Sequence, residues 1–186
     1  MQGGICMALA QEKTYTIDDI LALPENTRAE LIDGQIYYQA APSLQHQTIV
    51  GFLFKKIDNY IDVKKGPCKT IIAPYAVFLN ESNKNYLEPD LMVICDESKL
   101  TEQGCKGAPD LVIEIVSPST RNMDYGKKLF LYRTAGVREY WIVDKNKNMI
   151  MVYDFEKDLY ENYTFSDTVK VGIFDDLEIN FSELNI

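Results

Sequence analysis

The chain has 186 residues, long enough for one domain with a sizeable core, and its 46% hydrophobic and 25% charged residues are those of an ordinary globular protein. A net charge of -9 argues against a protein that coats nucleic acid, while leaving room for a local basic cleft. The single histidine, His46, excludes multi-histidine zinc hydrolases, and no glycine-rich loop ending in Lys-Ser/Thr is present, which excludes a P-loop NTPase.

The chain opens MQGGICMALAQEK, with no basic leader before a long apolar run. Residues 1–13 are expected to form a loose tail and 14–186 one domain. TIDDILALP predicts a short helix with Thr16 as N-cap, Asp18 and Asp19 in the first turn and Pro24 beyond the end. RAELIDGQIYYQ predicts a hairpin turning at Asp33-Gly34. SLQHQTIVGFLFKKIDNYI predicts a long amphipathic helix from near Ser43, with positions 46, 50, 53, 57 and 60 on one face. CKTIIAPYAVFLN reads as a strand broken near Pro74. Two look-alike strands follow, LEPDLMVIC and GAPDLVIEIVSPST, separated by the turn-rich ESKLTEQGCKGA. A helix over roughly Asp124 to Ala135 should stop at Gly136, followed by the strand REYWIVD, the hairpin NMIMVYDFEKDLYENYTF and a short strand with a turn. This order predicts an α/β fold, a central mixed sheet with helices packed on it and hairpins toward both ends. Cys6, Cys68, Cys95 and Cys105 lack Cys-x-x-Cys spacing, which speaks against a zinc ribbon and fits free thiols in a cytoplasmic protein. No stretch approaches a membrane span.

The two Pro-Asp strands carry the chemistry. A carboxylate in a buried strand is costly unless it is paired or binds a cation. Glu114 lies between Val112, Ile113, Ile115 and Val116, with little solvated surface to serve. Asp110 is four residues away on the same strand, about 13 Å along it, too far to share one ion with Glu114. Asp90, on the other strand, can approach Glu114 across about 4.8 Å if the register allows. Asp90 and Glu114 are therefore the candidate ligands of a hard divalent ion, and Asp110 reads as a turn acid beside Pro109. Asp90 could also be a turn acid. His46 falls in the first turn of the long helix on its apolar face. It is either a core histidine or a contact to a phosphate or a metal-held water.

These residues resemble a known group. Asp at the start of one strand and Glu inside the next form the skeleton of the PD-(D/E)xK nucleases. GAPDLVIEIVSPSTRNMDYGKKLFLYRTAGVREYWIVD is similar to the signature stretch of the Uma-two family of bacterial restriction-endonuclease-like proteins, and RAELIDGQIY, the helix around His46 and EPDLMVI follow that family in the same order. The resemblance covers roughly Tyr15 to Tyr153. It implies a restriction-endonuclease-like fold, hydrolysis of phosphodiester bonds in DNA, and Mg²⁺ (or Mn²⁺) as cofactor; a homodimer is one assembly the sequence leaves open. It also implies Glu30 as a third acid of the metal site, against the plainer role of a surface hairpin acid.

One departure stands out. The superfamily places a lysine two residues after the Glu, and here that position is Val116. The resemblance implies that Lys128, on the next helix, substitutes. Its bland alternative is a solvated lysine paired with Asp124, four residues earlier. Arg121, Lys127, Lys128, Arg133 and Arg138 suggest a positive strip for a phosphate backbone. Two other readings stay open: a binding module that kept the fold, and a phosphoesterase acting on something other than DNA.

Overall fold

The computed structural model describes residues 13–185; of the expected tail, all but Lys13 lies outside the described residues. The elements run α1 (Ile17–Leu21), β1 (Ala29–Ile32), β2 (Gln35–Tyr38), α2 (Leu44–Lys64), β3 (Lys69–Ile72), β4 (Val77–Phe78), β5 (Leu91–Ile94), β6 (Leu100–Thr101), β7 (Gly104–Lys106) and β8 (Leu111–Ile115). A π-helical turn (Met123–Lys128) leads into α3 (Leu129–Ala135), followed by β9 (Glu139–Asp144), β10 (Met149–Asp154), β11 (Leu159–Tyr163), β12 (Thr168–Lys170) and β13 (Glu178–Asn180).

The central sheet has six strands in the order β11-β10-β9-β8-β5-β3. It is mixed: β8 and β9 are parallel, and the other neighbours antiparallel. The parallel pair is the one joined through the helix, as a crossover requires. Period-2 alternation sends the strand side chains into two cores. Leu91, Val93, Ile113, Ile115, Trp141 and Val143 face α2, which buries Ile49, Val50, Leu53, Ile57 and Ile61 against them. Met92, Val112, Tyr140 and Ile142 face the other way, toward Leu131 and Tyr132 of α3 and the small sheet β4-β7-β6. Each buried Leu or Ile contributes about 1.5–3 kcal/mol, so both layers hold the sheet firmly.

The start of α2 is fixed by Ser43, whose hydroxyl accepts from the His46 N–H at 3.2 Å. The β1-β2 hairpin turns at Asp33 and Gly34, both with positive φ, and docks onto the body through reciprocal backbone bonds between Leu31 and Tyr86. The central mixed sheet, its flanking helices and the hairpins at both ends agree with the sequence reading.

Two expectations need correction. Residues 123–128 form a π turn rather than the first turns of one continuous α-helix, a local widening that propensity does not encode. The thiols are not all free. The register that pairs Lys69 with Ile94 also sets Cys68 opposite Cys95, and these two form a disulfide, while Cys105 is a buried free thiol. The cysteines therefore no longer argue for a reducing compartment. Cys6 lies outside the described residues. No described helix is long and apolar enough to cross a membrane.

Candidate active site

Strand register builds the site. β5 and β8 pair with Leu91 opposite Ile113, so one step further Asp90 stands opposite Glu114. The Ile115 N–H donates to Asp90 Oδ2 at 2.8 Å, and His46 Nε2 lies 3.0 Å from the same oxygen. Glu114 alternates with Ile113 and Ile115 and so faces the α3 layer. There Lys128 Nζ and the Tyr132 hydroxyl both donate to Glu114 Oε1, at 3.0 and 2.8 Å. Lys128 Nζ also meets Glu30 Oε2 at 2.9 Å and approaches Asp124 Oδ1 at 3.8 Å. Glu30 Oε1 accepts from the Glu88 N–H at 2.9 Å. Glu30, Glu114, Asp124 and Lys128 are each at most 3% exposed.

The structure thus gathers Asp90, Glu114, Lys128, Glu30 and His46 in one region. Asp90, Glu114, His46 and Lys128 line a cavity of about 310 Å³, with Arg28 and Lys145 also on its wall. Asp110 is elsewhere: it accepts from the Cys95 N–H at 2.8 Å and pairs with Arg138 at 3.2 Å. Glu30 has both oxygens engaged, which makes it a holder of Lys128 rather than a ready third ligand. Nor is Lys128 the solvated lysine of its bland alternative. The positive strip does not form. Arg121 pairs with Asp144, Arg133 with Asp158, Arg138 with Asp110 and Glu156, and the Lys127 ammonium reaches the Tyr37 hydroxyl. The Ser117 hydroxyl bonds those of Ser119 and Thr120, and Ser117 Oγ accepts from the Thr120 N–H, which starts the following helix.

Three carboxylates around one ammonium leave negative charge in excess. Burial lowers the Lys128 ammonium on its own, but the surrounding Glu114, Glu30 and Asp124 carboxylates outweigh this and raise it well above the usual lysine value. Burial raises Glu114 well above the carboxylate range, against the attraction of Lys128, with repulsion from Asp124, Asp90 and Glu30 adding to it. The Asp124 carboxyl is pushed up to about 7 by burial, opposed by Lys128 and by the nearby Thr120 side chain. Thr120 lacks the geometry of a full hydrogen bond, for neither Asp124 oxygen has a partner among the described residues.

This has a consequence for stability. An acid whose folded pKa lies above its unfolded value binds more protons when folded. Asp124 therefore costs stability increasingly as pH rises from about 4 to about 7. Asp124→Asn removes that cost. Thermal melts should show the variant gaining over wild type at pH 8 and less than half as much at pH 5, which lies only about one unit into that window, at roughly 2–4 °C per kcal/mol. An equal change at both pH values would contradict the assignment.

Fit to a divalent ion rests on uncommitted oxygens. The hydrogen bonds of Asp90 fall on Oδ2 and those of Glu114 on Oε1, so Asp90 Oδ1 and Glu114 Oε2 accept none among the described residues. No set of three His, Cys, Asp or Glu among the described residues is grouped to hold a metal. Two carboxylates suffice for Mg²⁺, which takes one or two and keeps several waters.

Sequence reasoning used the four-residue spacing to put Asp124 and Tyr132 on the helical face of Lys128, with Asp124 as its partner in the bland alternative, but counted neither among the site residues. Arg28 and Lys145 carried no such signal, since only tertiary folding brings them to the cavity.

A mixed sheet with two facing carboxylates, backed by a buried lysine, defines a nuclease-like α/β fold. The crystal structure described as "a putative nuclease belonging to DUF820" from Anabaena variabilis ATCC 29413 matches it with a TM-score of 0.69, over 92% of this chain and 93% of that one, at 22% identity. The profile of the Uma2 family, described as "Putative restriction endonuclease", matches residues 17–185, and the chain belongs to that family. Two relatives from Synechocystis sp. (strain ATCC 27184 / PCC 6803 / Kazusa) are also similar. The uncharacterized protein slr1290 is 29% identical over 151 residues, 79% of this chain and 78% of that protein. The uncharacterized protein sll1609 is 26% identical over 144 residues, 75% and 80% of the two chains.

Proposed function

We propose that the chain is a Mg²⁺-dependent endonuclease that hydrolyses DNA phosphodiester bonds in the cytoplasm. The observation that carries this reading is Asp90 set opposite Glu114 at a cavity wall, with Lys128 bonded to Glu114. Membership of the Uma2 family supports it. Asp90 and Glu114 would hold the ion, which would supply positive charge beside the phosphoryl group. His46 and the Ile115 N–H fix the Asp90 carboxylate from one side, leaving its other oxygen available. Tyr132 fixes Glu114 in the same way. The Lys128 ammonium offsets the negative charge that grows on the phosphoryl oxygens, and its near-complete burial makes that offset stronger than it would be in water. Lys145, and Arg28 if it leaves its 3.4 Å pairing with Glu88, would meet flanking phosphates, in place of the strip expected from sequence. A homodimer would be compatible with this reading, in which all the named residues come from one copy.

Nicking of supercoiled plasmid tests the reading. With Mg²⁺ we expect conversion to open circles, abolished by chelator. A binding module that kept the fold is the second reading. It is favoured by the pairing of Lys128 with both Glu30 and Glu114, which already satisfies the buried charges without an ion. DNA retention without cleavage, across Mg²⁺ and Mn²⁺, would select it. Cleavage of small phosphodiesters but not plasmid would instead select a different substrate class.

A further inference from the structure

Asp124 stands apart from the other buried acids. Glu139 accepts from the Trp141 indole and the Ile173 N–H, Asp144 from the Tyr125 hydroxyl and the Lys147 N–H, and Glu30 and Glu114 are bonded as described. Asp124 is 1% exposed, and neither of its carboxylate oxygens has a hydrogen-bond partner among the described residues. Its backbone is nonetheless firmly held. The Tyr140 hydroxyl donates to its carbonyl at 3.0 Å, and its own N–H donates to the Thr120 carbonyl at 3.0 Å. It lies near one end of the π turn whose other end is Lys128, and such widened turns recur at functional positions. Charge-assisted hydrogen bonds of this kind close to about 2.7–2.9 Å. This one stops at 3.8 Å.

We propose that Asp124 is a positioning residue that takes up the Lys128 ammonium when a divalent cation draws Glu114 away. The inference rests on the metal reading above. A cation at Asp90 and Glu114 competes with Lys128 for the Glu114 carboxylate. An ammonium in a dry site gives up a partner only at high cost unless another acceptor is at hand. Asp124 is that acceptor. A movement of about 1 Å converts 3.8 Å into a charge-assisted hydrogen bond near 2.8 Å. Glu30 keeps its own contact at 2.9 Å, so the ammonium pivots on Glu30 and stays in the site.

Calorimetric titration of the full chain with Mn²⁺ alone tests this without any turnover. Asp124→Asn, whose amide oxygen is a neutral and weaker acceptor for the ammonium, should weaken Mn²⁺ binding about tenfold, and Asp124→Glu, which restores a carboxylate, should stay within about threefold of wild type. In a Lys128→Gln background, Asp124→Asn should change Mn²⁺ affinity by less than about twofold, because the coupling runs through the lysine. If Lys128→Gln does not melt cooperatively, Lys128→Met serves as the background. Unchanged affinity in Asp124→Asn would overturn the inference and leave the metal site standing. So would an equal loss in both backgrounds, which would mark Asp124 as a distant charge only. Failure of the wild type to bind Mn²⁺ would overturn both readings.

Discussion

Lys128→Ala should lower the rate of Mg²⁺-dependent plasmid nicking by roughly 10²–10³, the usual loss when one preorganised electrostatic group is removed. The position two residues after Glu114 is Val116, which is aliphatic and cannot offset charge, so the ammonium must come from elsewhere. Lys128 is bonded to Glu114 itself and lines the cavity. Its removal also leaves Glu30 and Glu114 buried without their cation, which costs about 3–5 kcal/mol or forces them to take up protons. Lys128→Gln, which keeps a donor of similar length, separates the two effects: it should melt closer to wild type yet remain as slow as Lys128→Ala. Lys127→Ala should change the rate little, since the Lys127 ammonium contacts the Tyr37 hydroxyl and does not line the cavity. Wild-type rates in well-folded Lys128→Gln would remove the lysine from the chemistry.

Asp90→Asn should weaken Mn²⁺ binding on the order of 10²-fold or more, the scale of losing a unit charge about 4 Å from a cation at an effective dielectric near 20. The fold should survive. An asparagine side-chain oxygen can still accept from the Ile115 N–H, and β5 is held by its neighbours β8 and β3. The His46 and Asp90 side chains are only 13% and 20% exposed, so a weakened contact between them costs on the order of 1 kcal/mol, which a folded domain tolerates. Asp110→Asn is the control. Asp110 is tied to Cys95 and Arg138, outside the cavity, so its substitution should leave Mn²⁺ affinity unchanged while lowering the melting temperature. Equal Mn²⁺ affinity in wild type and Asp90→Asn would count decisively against the site.

Much of this architecture was legible from local pattern. The alternation of apolar runs placed β5 and β8 side by side, and a separation argument along one strand was enough to detach Asp110 from Glu114. Asp33-Gly34 marked the hairpin because both residues need positive φ. What could not be read was long-range register and burial. Nothing local distinguishes Glu30 on a solvated hairpin from Glu30 buried against Lys128; the docking of Leu31 on Tyr86 decides it. The basic residues after β8 looked like a strip in one dimension, yet helix and strand geometry spreads them to separate acidic partners. The π turn buries both Asp124 and Lys128, and no local propensity signalled its widening. Cys68 and Cys95, 27 residues apart, become neighbours only through strand pairing.

The central claim is that Asp90 and Glu114 together hold a divalent ion beside Lys128. Anomalous diffraction from a crystal soaked in Mn²⁺ tests it most directly. The account predicts one strong peak in contact with both carboxylates, with the Lys128 ammonium displaced toward Asp124. Saturating Mn²⁺ with no peak at that position, or a peak bound only elsewhere on the molecule, would contradict it.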